Sequence, residues 1–176
     1  MRLQLFSVLF VCLSLIACKQ KTENFVIGVS QCSSDEWRQK MNTEMLHEAM
    51  LYQGVQLDIK TVVDDTELQI RDIQTFIDNK VDLIIVSPNK AEPVTPIIEK
   101  AYMSGIPVIL VDRKIVSDKY TSFIGADNYQ IGKEVGGYIV KLLDGKGNIV
   151  EIQGLEGSTP ATERHRGFLS VGVTFI

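Results

Sequence analysis

The chain is 176 residues long, with 22 acidic and 18 basic side chains and a formal net charge of −4. Its pI of about 5.2 excludes the basic footprint of a nucleic-acid-binding domain, so no nucleic-acid partner is expected. Three cysteines, Cys12, Cys18 and Cys32, do not make a disulfide framework, because the first two lie in or beside an N-terminal apolar segment. The fold must therefore be held by an apolar core.

The N-terminus has the pattern of an export signal. Residues 3–17 are almost wholly apolar, but this stretch is shorter than the about 20 residues that a transmembrane helix needs. We interpret residues 1–17 as a signal peptide and residues 18–24 as a polar tether. The stretch Leu15-Ile-Ala-Cys18 resembles the lipobox of bacterial lipoproteins. It predicts an exported protein of the periplasm or cell envelope that touches the membrane only through a lipid on Cys18. An ordinary signal peptide or an uncleaved anchor is the alternative.

Six short apolar runs bounded by turn residues predict β-strands. They cover residues 25–30, 55–63, 81–86, 107–111, 121–126 and 147–153. Run 81–86 is apolar on both faces, which is typical of a sheet covered by helices on both sides.

Helices are predicted between most of these strands from apolar residues spaced three or four apart. The first, capped by Ser33 or Ser34, would direct inward Trp37, Met41, Met45, Ala49 and Tyr52. The others are expected at 65–77, 93–105, 129–143 and from Pro160 onward. This alternation predicts an α/β fold with a mostly parallel sheet and helices on both faces. The apolar tail 171–176 has nothing after it, so we expect a truncated or frame-shifted C-terminus.

Polar residues stand at the carboxyl ends of the predicted strands. Ser30 ends the first, Ser87-Pro-Asn89 follows the third, Asp112-Arg113 the fourth and Asp127-Asn128 the fifth. In an open parallel sheet, ligands bind just outside these ends. Hydroxyls, amides, a carboxylate and a guanidinium are thus directed at one crevice. This set suits a small polyhydroxy ligand and includes no evident catalytic group.

Several motifs, taken in order, resemble the type I periplasmic sugar-binding proteins, nearest their ribose-binding branch. They are Ile27-Gly-Val-Ser30, Asp82-Leu-Ile-Ile-Val-Ser-Pro-Asn89, Gly105-Ile-Pro-Val-Ile-Leu-Val-Asp-Arg113, Ile124-Gly-Ala-Asp-Asn128, Gly132-Lys-Glu-Val-Gly136 and Glu163-Arg-His-Arg-Gly-Phe168. The resemblance implies a Rossmann-like fold of two lobes that close on a sugar. It assigns residues 25–126 to the first lobe, and residues 127–176 to a hinge crossing and an incomplete second lobe.

The same resemblance implies roles for three charged residues. Asp112 and Arg113 would grip sugar hydroxyls, and Arg164 would close onto the sugar from the second lobe. The chemistry agrees, because a carboxylate accepts two hydroxyl hydrogen bonds and Arg offers a planar fork of donors that keeps its charge. The alternatives are a surface turn after the strand for Asp112 and Arg113, and a solvated helix charge for Arg164.

Four more positions carry roles by resemblance. Ser30 corresponds to a first-strand polar contact, and Trp37 to an aromatic ring that stacks on the sugar; a core position is the alternative for Trp37. Asp127 and Asn128 correspond to the hinge-edge pair, which serves as ligand contact, interlobe bond or turn. Residues 34–36 depart from the ribose pattern by adding two acids and omitting an amide. That difference counts against ribose itself.

Two classes of function fit these observations. The first is an exported binding protein that captures a monosaccharide between two lobes for the membrane permease of an ABC-type transporter. The alternative is the periplasmic sugar-sensing module of a hybrid two-component histidine kinase. A lipidated Cys18 favours the carrier. A sugar-responsive DNA repressor is disfavoured, because an export signal stands where its helix-turn-helix would be.

No enzyme, cofactor or metal site is expected. His47 and His165 lack partners at metal-ligand spacing, and the sequence shows no legible pairing of a nucleophile with a base.

Overall fold

The computed structural model describes residues 24–172. The predicted signal peptide, Cys18 and residues 173–176 lie outside this range. The strands are β1 (Phe25–Gln31), β2 (Val55–Thr61), β3 (Leu83–Val86), β4 (Val108–Val111) and β5 (Ser122–Ile124). The helices are α1 (Glu36–Ala49), α2 (Thr66–Asp78), α3 (Ala91–Met103), α4 (Asn128–Leu142) and α5 (Thr159–Leu169). None of these helices is long and apolar enough to cross a membrane.

The strands form one parallel sheet in the order β2-β1-β3-β4-β5. Because crossovers between parallel strands are right-handed, α1 lies on one face of the sheet and α2 and α3 lie on the other. The contact of α2 with α3 agrees with this arrangement. The predicted α/β class, with a parallel sheet and helices on both faces, is confirmed.

The main core lies between the sheet and the α2–α3 layer. Its fully buried side chains include Ile73, Phe76, Ile84, Val86, Val94, Ile98, Val108 and Leu110. Burying each such side chain stabilises the fold by about 1.5–3 kcal/mol. Gly28 on β1 allows the close approach of α2, since a Cβ there would lie 2.7 Å from the Phe76 ring.

Helix α1 differs from its prediction in cap and in phase. Asp35 caps it, rather than Ser33 or Ser34, by accepting the backbone N–H of Arg38 at 3.0 Å. Trp37 and Tyr52, which were expected to point inward, are 56% and 57% exposed. The inward position in the first turn belongs to Arg38, one residue later, because each residue turns the helix by about 100°.

The strand predicted at residues 147–153 is wrong. No strand forms between residues 146 and 154, and Val150 and Ile152 are 89% and 94% exposed. A strand needs a hydrogen-bonded neighbour for its backbone groups. Within residues 24–172 no strand lies beside this segment, and helix α4 packs instead on α5.

Helices α4 and α5 pack backbone against backbone through two glycines. A Cβ on Gly132 would lie 2.0 Å from the carbonyl oxygen of Arg164, and one on Gly167 would lie 2.0 Å from that of Tyr129. Only glycine allows this approach. The contact holds the backbone of Arg164 close to α4.

Candidate functional site

The switch point of the sheet lies between β1 and β3, whose crossovers run in opposite directions. Beyond these strand ends, Ser87 and Asn89 are buried and are tied together by Gln69 of α2. The Gln69 amide nitrogen donates to Ser30 Oγ at 3.1 Å and to the Ser87 carbonyl at 2.9 Å. Its Oε1 accepts the backbone N–H of Asn89 at 2.8 Å. Open α/β sheets bind ligands at such a point, and here its base is a fixed polar network.

Asp112 follows β4 directly and is held by both its backbone and its side chain. Its φ of +65° lies in the left-handed region, which Asp tolerates better than most residues. Its N–H donates to the Ile124 carbonyl at 2.8 Å. Its Oδ2 accepts from Arg38 Nη2 at 2.7 Å, and Arg113 Nε lies 3.8 Å away. The side chain is still 37% exposed, so the carboxylate is oriented and open to a ligand.

Arg38 orients this carboxylate, and sequence reasoning missed it. Its side chain is only 3% exposed. Nε donates to Ser33 Oγ at 2.9 Å and Nη1 to Gln31 Oε1 at 3.1 Å, so all three nitrogens are hydrogen-bonded. A buried guanidinium is tolerated only when it is paired in this way. Its Cζ also lies 5.2 Å from the centre of the Trp37 ring, within reach of a cation–π contact.

A signal for Arg38 was present in the sequence. If α1 begins after Asp35, Arg38 falls on the same stripe as Met41 and Met45, three and seven residues later. The spacing of Trp37, four residues before Met41, favours Trp37 instead, because an aromatic residue is the more usual inward side chain.

Two further arginines approach from opposite sides. Arg113 Nη1 donates to the Asn89 carbonyl at 3.0 Å, beside the switch point. Arg164, on α5, donates from Nε to Asn128 Oδ1 at 2.8 Å. Asn128 is buried, whereas Asp127 caps α4 by accepting the backbone N–H of Gln130, the third helical residue. Within the hinge-edge pair, Asn128 thus holds Arg164 and Asp127 caps the helix.

A cavity of about 390 Å³ separates the two arginines. It is lined by Asp112, Arg113, Glu151, Ile152, Gln153, Gly154, Leu155, Ser158, Pro160, Ala161 and Arg164. Three predicted site residues, Asp112, Arg113 and Arg164, therefore meet here. The lining does not include Ser30, which is 1% exposed and bonded to Gln69, nor Trp37, Asp127 and Asn128.

The charged groups of the lining are balanced. Two are acidic, Asp112 and Glu151, and two are basic, Arg113 and Arg164. Glu151 is held by His165, whose Nδ1 lies 2.7 Å from Glu151 Oε2. Within residues 24–172, no group of three or more His, Cys, Asp or Glu side chains is placed to hold a metal ion. The cavity offers a ligand hydrogen-bond donors on its two cationic side chains and acceptors on its two anionic ones.

The fold and the site together define a type I periplasmic binding protein, in which a parallel α/β lobe presents polar strand ends to a second lobe. A sequence profile described as "Periplasmic binding protein domain" matches residues 26–173. The chain belongs to this family and resembles its ribose-binding-like, sugar-binding members, as predicted.

Three relatives show how far the similarity extends. The galactofuranose-binding protein YtfQ of Escherichia coli is 34% identical over an alignment that covers 81% of this chain and 46% of the length of YtfQ. The fructose-binding periplasmic domain of a hybrid two-component system is 57% identical, with a TM-score of 0.82 over 87% of this chain and 53% of that one. The binding protein of an arabinose ABC transporter from Shewanella sp. ANA-3, bound to L-arabinofuranose, is 31% identical with a TM-score of 0.72. The match covers 83% of this chain and 49% of that protein. This chain spans about half the length of these relatives.

Proposed function

We propose that the protein binds a monosaccharide between Asp112 and Arg113 on one side and Arg164 on the other. The observation that carries the proposal is the Asp112 carboxylate, which Arg38 orients and which stays accessible beside two guanidinium groups. A carboxylate accepts hydrogen bonds from sugar hydroxyls, and guanidinium groups donate to sugar oxygens. The balanced lining charges favour a neutral sugar over a sugar phosphate or a sugar acid.

The relatives indicate which sugars to test first. Their names give fructose, galactofuranose and L-arabinofuranose as ligands. Two of these names specify the five-membered ring, and fructose also adopts it. We therefore propose a sugar in the furanose form, with D-fructose first because the fructose-binding relative has 57% identity.

Calorimetric titration with D-fructose, L-arabinose, D-galactose and D-ribose tests this proposal. Asp112→Asn should weaken binding of the preferred sugar tenfold or more, since about 1.4 kcal/mol per tenfold is modest for a lost charge-assisted hydrogen bond. Asparagine keeps the size of the side chain and tolerates the positive φ. Asp118→Asn is the control, because Asp118 is exposed and does not line the cavity. Unchanged affinity in Asp112→Asn would remove Asp112 from the site.

The bound sugar has two possible uses, and a separate observation supports each. The lipobox-like stretch ending at Cys18 and the similarity to the binding protein of an arabinose ABC transporter support delivery to an ABC-type permease by a lipid-anchored periplasmic protein. The 57% identity to a domain of a hybrid two-component system supports a sensory module that reports to a kinase. Loss of labelled sugar uptake in a strain lacking this gene would indicate the carrier. Loss of sugar-induced transcription with intact uptake would indicate the sensor.

A further inference from the structure

A strip of contacts beside the cavity joins the two predicted lobes. The backbone N–H of Ala91, the first residue of α3, donates to the Gly157 carbonyl at 2.9 Å. Two more bonds converge on Lys114: its N–H donates to Thr159 Oγ1 at 2.8 Å, and its Nζ donates to Glu163 Oε1 at 3.0 Å. We propose that this strip, the closure latch, holds α5 against the first lobe and favours the closed arrangement of the two lobes.

The latch is built on one face of α5. Thr159 and Glu163 are four residues apart, so they lie side by side on the helix and both face Lys114. Arg164, the next residue, is turned by about 100° and lines the cavity. On the other side, Lys114 directly follows Arg113 in the chain. The latch residues therefore neighbour the ligand-facing residues in sequence, and closing the latch sets the separation of the two arginines.

The latch residues are partly exposed and lie outside the cavity, so they would act on lobe closure and not on the ligand. Lys114 and Glu163 are 34% and 21% exposed, so their attraction is only partly screened and should weaken with added salt. Neither residue lines the cavity. The latch therefore changes the fraction of molecules that are closed, not the contacts to a ligand. If the proposed sugar binding holds, affinity for a ligand that binds only the closed form rises in proportion to that fraction.

Amide hydrogen exchange measures the latch directly and without a ligand. The Ala91 and Lys114 amides bond across the lobes, so they exchange when the lobes part, whereas the Val108 amide bonds to Thr121 Oγ1 within the first lobe. Glu163→Gln should speed exchange at Ala91 and Lys114 about threefold, the effect of losing a partly exposed ion pair. Exchange at Val108 should not change. Salt at 0.5 M should produce the same change in the unaltered protein.

Two further variants separate the latch from a general effect of charge or folding. Glu156→Gln removes the same charge from an exposed neighbouring residue that makes no ion pair within residues 24–172, and should leave exchange unchanged. Lys114→Glu combined with Glu163→Lys should restore slow exchange at Ala91. Equal exchange in Glu163→Gln and the unaltered protein overturns the proposal, as does the same acceleration in Glu156→Gln.

Calorimetry on the same variants separates the latch from the proposed function. If sugar binds, Glu163→Gln should weaken its affinity only by the factor by which the closed fraction falls, and this factor cannot exceed the rise in Ala91 exchange. A loss of affinity larger than that rise would contradict the link. If exchange responds as expected but the unaltered protein binds none of the tested sugars, the latch stands and the sugar assignment fails.

Discussion

Replacing Arg38 with methionine should destabilise the protein strongly, although the position lies in the first turn of a helix. The change deletes the charge-assisted bond to Asp112, which contributes about 1.5–3 kcal/mol. It also removes the donor of Gln31 Oε1, and a buried acceptor without a partner costs about 1–3 kcal/mol. Asp112 is 37% exposed and can regain water. The total loss of unfolding free energy should therefore lie near the lower end of the summed range, at about 3 kcal/mol.

Urea unfolding followed by circular dichroism measures this loss. With a slope near 2 kcal/mol per molar, the midpoint should fall by about 1.5 M with the slope unchanged. Lys40→Met is the matched control on the same helix, since Lys40 forms an exposed pair with Glu44 and its loss should change stability by less than about 0.5 kcal/mol. If the two variants shifted the midpoint equally, Arg38 would not be the buried partner of Asp112.

Two further predictions concern helix packing and a helix cap. Gly132→Ala should destabilise the α4–α5 pair by about 1–3 kcal/mol because its Cβ meets a carbonyl at 2.0 Å. Gly137→Ala, in open space on the same helix, should stabilise the helix by about 0.5–1 kcal/mol. If thermal unfolding showed Gly137→Ala to be the less stable of the two variants, the close packing of α4 on α5 would be refuted. The Ser33 hydroxyl, and next the Arg38 backbone N–H, lower the pKa of Asp35 below its usual 3.8. A lowered carboxyl pKa adds stability that is present above about pH 4 and is lost as the pH falls through the folded-state pKa. An NMR titration of Asp35 should therefore have its midpoint below 3.8 and shift upward in Ser33→Ala.

The alternation of apolar runs and amphipathic segments could be read from the chain because it is a local property. The first five strands and all five helices follow from residue spacing, which records which face each segment buries. The polar ends of β3 and β4 could also be predicted, since a parallel sheet places all carboxyl ends at one edge. Asp112 and Arg113 were identified in this way, and both line the cavity.

Other features of the site depended on partners that are distant in the sequence. Arg38 and Asp112 are 74 residues apart, and nothing local distinguishes an arginine that is buried and paired from one that is solvated. The same reason explains why Ser30 is buried against Gln69, 39 residues away. The apolar run 147–153 matched a strand locally, but a strand exists only where a neighbour pairs with its backbone. The sequence alone determined the sheet and its polar edge. Only the tertiary structure decided which polar groups are paired and buried and which are left to meet a ligand, because the cost of burying a charge depends on its partner.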